Sequence, residues 1–172
     1  MSMLTNSPDE GGATGEMRHA LRAAMALQGI GQVDQAIQAA EKLIERWPDF
    51  GQGLSYLGQT LITRKRKFAD GLAMLARAVA AAPEDPYILY TAGWCEEFVA
   101  DALERPKGAH QAVVETAPQL YGRARASMIA ALALDPDEKL RGDVEDILDV
   151  IAKKTGEPWD EGEYERAAPR PR

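Results

Sequence analysis

The residue types that most often perform catalysis are scarce in this chain. It has one cysteine, Cys95, and two histidines, His19 and His110. A thiol or hydroxyl nucleophile needs a base within hydrogen-bond reach, and neither Cys95 with His110 nor any serine with His19 forms a recognisable local pattern. The same three residues lack the spacing of metal ligands, and no glycine-rich loop suited to phosphate is present. We therefore expect no metal ion and no cofactor.

Two pairs of adjacent acidic residues are the remaining candidates for acid–base chemistry. They are Glu96 with Glu97, and Glu145 with Asp146. Neighbouring residues on a helix point in different directions, so neither pair can act on one substrate through local geometry alone. These patterns predict that the protein is not an enzyme.

The aromatic residues favour binding over catalysis. Tyr87, Tyr90 and Trp94 recur at spacings of three and four residues, so they share one face of a helix. Amphipathic rings on such a face suit an apolar or amphipathic helix of a partner protein. Trp159 and Tyr164 lie in an acidic segment near the C-terminal end, where their rings could dock on the protein's own body or on a neighbour.

The composition limits the partners further. The chain has 172 residues, of which 45% are apolar, and this suits a single helical domain with a core. Its formal charge of −7 would repel a nucleic-acid backbone. The first residues have no signal-peptide pattern, and no apolar run is long enough to cross a membrane. We expect a cytoplasmic protein that has no transmembrane segment and does not bind nucleic acid.

Apolar residues that recur at helical spacing predict seven helices, which must position these side chains. Pro48, Pro83 and Pro136 each end a helix, and Pro86 suits the first turn of another. Alanine is abundant, which favours helices packed at close range. The seven helices are predicted over residues 16–27, 34–47, 51–63, 68–82, 87–104, 118–134 and 138–154.

The same patterns divide the chain into three parts. Residues 1–15 are rich in polar residues and glycine and predict a flexible N-terminal arm. Residues 16–154 form the helical domain, with an irregular insertion at about 105–117. Residues 155–172 form a C-terminal tail.

One stretch sets the spacing for the whole chain. Between Leu54 and Leu61 it places large apolar residues around a Leu-Gly pair, and the next helix carries Gly71 before Pro83 ends it. In this spacing the chain resembles a tetratricopeptide repeat protein, with about three repeats and a closing helix. The resemblance implies an all-α fold, a right-handed α-solenoid of antiparallel helix pairs with a capping helix.

The third repeat departs from the family pattern. Glu96 stands where the pattern has an aromatic residue. If the register is right, this carboxylate is buried, and an unpaired buried carboxylate would be costly. We therefore expect either Arg123 or Arg125 to reach it, unless the insertion rearranges the helix.

The resemblance also implies a binding face, because in this family the first helix of each hairpin lines a concave groove that holds a peptide. Some members bind acidic chaperone tails through a clamp of lysine, arginine and asparagine, and that clamp has no counterpart here. Matching residue by residue, and adding the two tail aromatics, gives the expected partner-binding set. It comprises Leu21, Met25, Gln52, Ser55, Gln59, Tyr87, Tyr90, Trp94, Trp159 and Tyr164.

These observations predict a non-catalytic protein–protein interaction module: an adaptor, an assembly factor or a scaffold subunit of a larger complex, or a homo-oligomer. Two other functions stay open. One is a helical protein that binds a small ligand or pigment in a pocket under the insertion. The other is a secretion-type chaperone for an apolar client segment. The insertion could also fold back over Tyr87, Tyr90 and Trp94, which would make these rings part of the core.

Overall fold

The computed structural model describes residues 8–167, and their side chains from residue 14 onward. This part of the chain is all-helical, with no strands. The seven expected helices form, and their bounds agree with the expected ones to within two residues at every end but one. The eight helices are α1 (Pro8–Gly29), α2 (Val33–Arg46), α3 (Gly51–Lys65), α4 (Phe68–Ala81), α5 (Pro86–Glu104), α6 (Ala117–Ala133), α7 (Glu138–Thr155) and α8 (Glu161–Ala167).

The helices pack in adjacent pairs. α1 packs on α2, α3 on α4, and α5 on α6, and each pair contacts the next through α2 with α3, α4 with α5, and α6 with α7. Short turns join α1 to α2 and α3 to α4, so the members of these pairs run antiparallel. Helices that are two apart along the chain also touch, since α3 contacts α5, and α5 contacts α7.

Small residues allow the second helix of each pair to cross the first closely. At the α3–α4 crossing, a Cβ atom added to Gly71 would lie 2.8 Å from the backbone oxygen of Gly58, and the reverse distance is also 2.8 Å. At the α5–α6 crossing, a Cβ atom added to Gly93 would lie 3.1 Å from the backbone oxygen of Ala124, and both Ala124 and Ala36, on α2, are fully buried. Larger side chains here would force the helices apart.

Local signals in the sequence explain where the later helices begin. Asp85 caps α5 by accepting hydrogen bonds from the backbone N–H groups of Tyr87 and Ile88. Thr116 and Gln119 form a reciprocal capping box at the start of α6. Asp137 accepts from the backbone N–H of Leu140 and starts α7 in the same way.

The apolar core lies between the helices in two main clusters. One joins α3, α4, α5 and α6 around Phe68 and Tyr121. The other joins α5, α6 and α7 around Met128 and Leu148. Each of these four side chains is almost fully buried, and burial of an apolar side chain of this size contributes about 2 kcal/mol.

The two ends of the chain differ from the expectation. α1 begins at Pro8, so residues 8–15 are helical and extend the first helix, although an arm was expected up to residue 15. Proline is well tolerated in a first turn, and a helix already formed over residues 16–29 can extend at little cost despite its glycines. Residues 1–7 lie outside the described part. In the tail, Glu161–Ala167 forms an unexpected short helix, and residues 168–172 are likewise outside the described part.

The insertion between α5 and α6 is irregular and packs against the α3–α4 turn. The backbone N–H of Gln111 donates to the Arg66 carbonyl at 2.9 Å, and the Gln111 side chain accepts from the backbone N–H of Asp70. The His110 ring stacks on the Phe68 ring with 4.9 Å between centroids. The insertion follows the C-terminal end of α5, whereas Tyr87 lies in the first turn of that helix. The sequence left open whether the insertion covers the α5 rings, and the contacts observed for the insertion, with Arg66, Phe68 and Asp70, leave Tyr87 57% exposed.

Candidate functional site

Two of the expected binding residues meet in an open cleft between α1 and α3. Met25, on α1, has 51% of its surface exposed, and Gln59, on α3, is half-buried. The cleft between them has a volume of about 420 Å³. We call it the α1–α3 cleft, and it is lined by Met25, Gln28, Gly29, Tyr56, Gln59, Thr60, Thr63 and Arg64.

Hydrogen bonds fix the polar side chains of the α1–α3 cleft. The Tyr56 hydroxyl donates to Gln28 Oε1 at 2.6 Å, and the Thr60 hydroxyl lies 3.4 Å from the same oxygen. Burial raises the pKa of Tyr56, so the hydroxyl stays protonated and acts as a donor. Because the oxygen of Gln28 is already used, its NH₂ group is left to donate to a ligand.

The other expected residues on these two helices contribute less. Leu21 is half-buried on α1, and Gln52 is exposed at the start of α3. Ser55 is only 7% exposed, because its side of α3 faces the neighbouring helices. Ser55 therefore offers little surface to a partner. Thr63 and Arg64 were missing from the expected set, since Arg64 reads in the sequence as part of a charged turn.

The aromatic face of α5 is largely covered by α7. Tyr90 and Trp94 are half-buried and pack against the cluster that α5, α6 and α7 share. Trp94 also contacts Phe98, with 6.2 Å between ring centroids. Tyr87 alone of the three stays open, with 57% exposed, and its hydroxyl donates to Asp137 at the start of α7. Tyr87 is thus the most exposed of the three rings.

The aromatic residues of the tail dock on the protein's own body. Trp159 Nε1 donates to Asp149 Oδ1 on α7 at 2.9 Å, and Tyr164 packs against the second core cluster. Arg125 on α6 holds the segment, because it donates to Glu163 at 2.7 Å and to the Pro158 carbonyl at 3.1 Å. The sequence left two alternatives, docking of these rings on the protein's own body or on a neighbour, and the structure shows the rings on the protein's own body.

The buried carboxylate of Glu96 forms a charged group with two neighbours. Glu96 is 5% exposed, and its Oε2 accepts from Arg123 Nε at 2.9 Å. Arg123 also contacts Glu115 of the insertion at 3.0 Å, and Ser127 Oγ lies 3.4 Å from Glu96 Oε1. The expected burial of Glu96 is confirmed, and Arg123, not Arg125, is the arginine that reaches it. Burial raises the pKa of Glu96 to about 7, although Arg123 opposes this change.

Glu96 and Arg123 line a second cleft, of about 340 Å³, that sequence reasoning missed. Its walls come from α4, α5 and α6. The only sign of this cleft in the sequence was the departure of Glu96 from the repeat pattern. We call it the α4–α6 cleft. It is lined by Leu72, Leu75, Ala76, Val79, Ala92, Glu96, Arg123, Ala126 and Ser127.

Cys95 and His110, which were considered for catalysis, occupy structural positions. Cys95 is fully buried, and burial raises the pKa of its thiol, which favours the unreactive protonated form. His110 Nδ1 lies 2.8 Å from the carbonyl oxygen of Gln111, in the stacked position on Phe68. Between residues 8 and 167, no group of three His, Cys, Asp or Glu side chains is placed to hold a metal ion. None of the helices described here has the length and apolarity that crossing a membrane requires.

A search against models of known protein families finds no match to this sequence, and a comparison with curated proteins finds no significant match either. Function must therefore be inferred from the geometry of the two clefts.

Proposed function

We propose that this protein is a non-catalytic interaction module of the tetratricopeptide-repeat type, which binds an extended segment of a partner protein in the α1–α3 cleft. As an adaptor, assembly factor or scaffold subunit, it would hold that segment within a larger complex. The observation that carries the proposal is the open α1–α3 cleft, where an exposed Met25 stands beside fixed amide and hydroxyl groups.

The lining of the α1–α3 cleft suits a peptide backbone. The NH₂ group of Gln28 and the amide of Gln59 can pair with backbone C=O and N–H groups of an extended segment. Met25 offers a flexible apolar contact for one partner side chain. Arg64, exposed at the edge, supplies a positive charge, and none of the described residues that line the cleft is acidic. The preferred segment would thus carry an apolar residue and a nearby carboxylate.

The proposal is tested by isolating the protein with its partners from the native host. The double variant Met25→Glu with Arg64→Glu replaces the apolar contact by a carboxylate and changes the positive charge at the edge of the cleft to a negative one. We expect it to lose at least nine-tenths of one specific partner in quantitative mass spectrometry, with an unchanged thermal unfolding midpoint. The matched control is Ile30→Glu with Lys42→Glu, which makes the same change of −3 in net charge at two exposed residues outside the cleft.

A synthetic peptide from the recovered partner then gives the affinity by calorimetry, and light scattering of the same samples detects self-association. A partner retained by the double variant but lost on substitution of Tyr87 or of the tail would move the site away from the α1–α3 cleft. The proposal would then be wrong.

A further inference from the structure

The α4–α6 cleft has apolar walls and a charged floor, and it shares no residue with the α1–α3 cleft. We propose that it binds a primary ammonium ion carried on a short alkyl chain, with the ammonium group against Glu96. This second site goes beyond the proposed function and does not depend on it.

The charges at the floor select a cation. Glu96 and Arg123 belong to the lining of the cleft, and Glu115, on the insertion outside this lining, supplies a second carboxylate that contacts Arg123. When both carboxylates are ionised, one negative charge is left unmatched, and an anionic ligand would be repelled. A cation placed beside Glu96 would complete the pairing in a partly dry environment, where charge pairing is stronger than in water.

Glu96, which lines the cleft, also has free hydrogen-bonding capacity. A carboxylate has about four acceptor positions. The bonds that Glu96 accepts come from Arg123 at 2.9 Å and from Ser127 at the long distance of 3.4 Å. An ammonium group, with three N–H donors, can therefore bind Glu96 Oε1 without displacing Arg123.

The walls fit the carbon chain of such a ligand. Six of the nine lining residues have aliphatic side chains: Leu72, Leu75, Ala76, Val79, Ala92 and Ala126. Contact with these side chains removes the methylene groups of the ligand from water, which favours binding. The volume of about 340 Å³ lies in the range of small-molecule sites, roughly 300–1,000 Å³.

Binding at this site is coupled to the release of a proton. The carboxyl of Glu96 has a pKa of about 7, so it is mostly protonated at pH 6 and mostly ionised at pH 8. The ammonium ion prefers the ionised form, so its affinity should increase by roughly tenfold between these two pH values. Ser127 and Arg123 on α6 and Glu115 on the insertion are the polar groups that face Glu96 in the structure, and the aliphatic residues of α4 do not titrate.

Calorimetry with hexylammonium chloride at pH 6 and pH 8 tests the proposal, and hexanol provides the neutral comparison. We expect hexylammonium to bind about tenfold more tightly at pH 8, and hexanol to bind weakly with no pH dependence. Glu96→Gln should abolish the preference for the ammonium ion. Glu97→Gln is the matched control, since it removes a carboxylate from the next residue of α5, which does not line the cleft.

If Glu96→Gln fails to fold, Ala126→Leu narrows the cleft from an exposed position and should weaken hexylammonium binding at both pH values.

An acetylated and amidated lysine presents the same ammonium group on a peptide unit. If it binds more tightly than hexylammonium with the same pH dependence, the natural source is a lysine of a protein; the reverse order indicates a free amine. Equal binding of hexylammonium and hexanol, or full binding to Glu96→Gln, would overturn the proposal.

Discussion

Replacing Glu96 by glutamine tests the electrostatics of the core directly. Glutamine has nearly the same shape, and its amide oxygen can still accept from Arg123 while its NH₂ group donates to the Ser127 hydroxyl oxygen, but it cannot ionise. Arg123, whose side chain is 45% exposed, keeps Glu115 as a partner in the variant, so its positive charge stays paired. The substitution therefore changes the charge of one buried group and little else.

The expected change in the free energy of unfolding follows from the pKa of Glu96, which burial raises from its ordinary value of 4.5 to about 7. This change corresponds to about 3 kcal/mol. Because the folded state holds this proton more tightly than the unfolded chain, the stabilising effect of protonation is lost as the pH rises from about 4.5 to about 7. Relative to Glu96→Gln, the wild type should thus lose about 3 kcal/mol of unfolding free energy across this range.

Urea denaturation of both proteins, followed by circular dichroism between pH 4.5 and pH 8, measures this difference. The matched control is Glu45→Gln, which removes an exposed carboxylate from α2 and should give a nearly constant difference from the wild type. A constant difference for Glu96→Gln would refute the reasoning. A wild type that gains relative stability with rising pH would show that the Arg123 ion pair outweighs burial.

Four further substitutions probe the packing and one helix cap. Gly71→Ala should lower the free energy of unfolding by about 1–3 kcal/mol, since its methyl group would lie 2.8 Å from the backbone oxygen of Gly58. Gly142→Ala, on α7, adds a methyl group that meets open space and should raise this free energy by up to about 1 kcal/mol. If urea denaturation gave the same change in unfolding free energy for both glycine variants, it would contradict the close α3–α4 crossing. Trp159→Ala should speed amide hydrogen exchange in α8 but not in α3, because the variant loses a hydrogen bond to α7 and the packing of the indole ring. Unchanged exchange rates in α8 would mean that other contacts hold the tail. Asp85→Ala should destabilise the protein by about 1 kcal/mol through the loss of the α5 cap, and an unchanged thermal midpoint would count against that cap.

Several parts of the fold were readable from the sequence because they depend on residues a few positions apart. Pro48, Pro83 and Pro136 predicted where helices end, and apolar residues at helical spacing predicted which faces are buried. The small residue Gly71 predicted where α4 crosses α3. The burial of Glu96 followed from its place in the repeat spacing.

The candidate site was only partly predictable. Met25 and Gln59 were expected on one face, and the structure brings them to one cleft. Tyr90 and Trp94 were also expected there, but α7 packs beside them. The position of a helix relative to an aromatic face depends on the angle at which successive pairs pack, and the spacing of residues along one helix does not specify that angle.

The amino-acid sequence by itself determined seven of the eight described helices, with all their bounds except the start of α1, and the scarcity of catalytic groups, because caps, prolines and apolar periodicity act over one or two helical turns. Only the tertiary structure decided that Arg123 reaches Glu96, that Arg125 holds the tail at Glu163, and that a charged cleft opens between α4 and α6. Arg125 and Glu163 are 38 residues apart, and their contact depends on which helices become neighbours when the whole core packs.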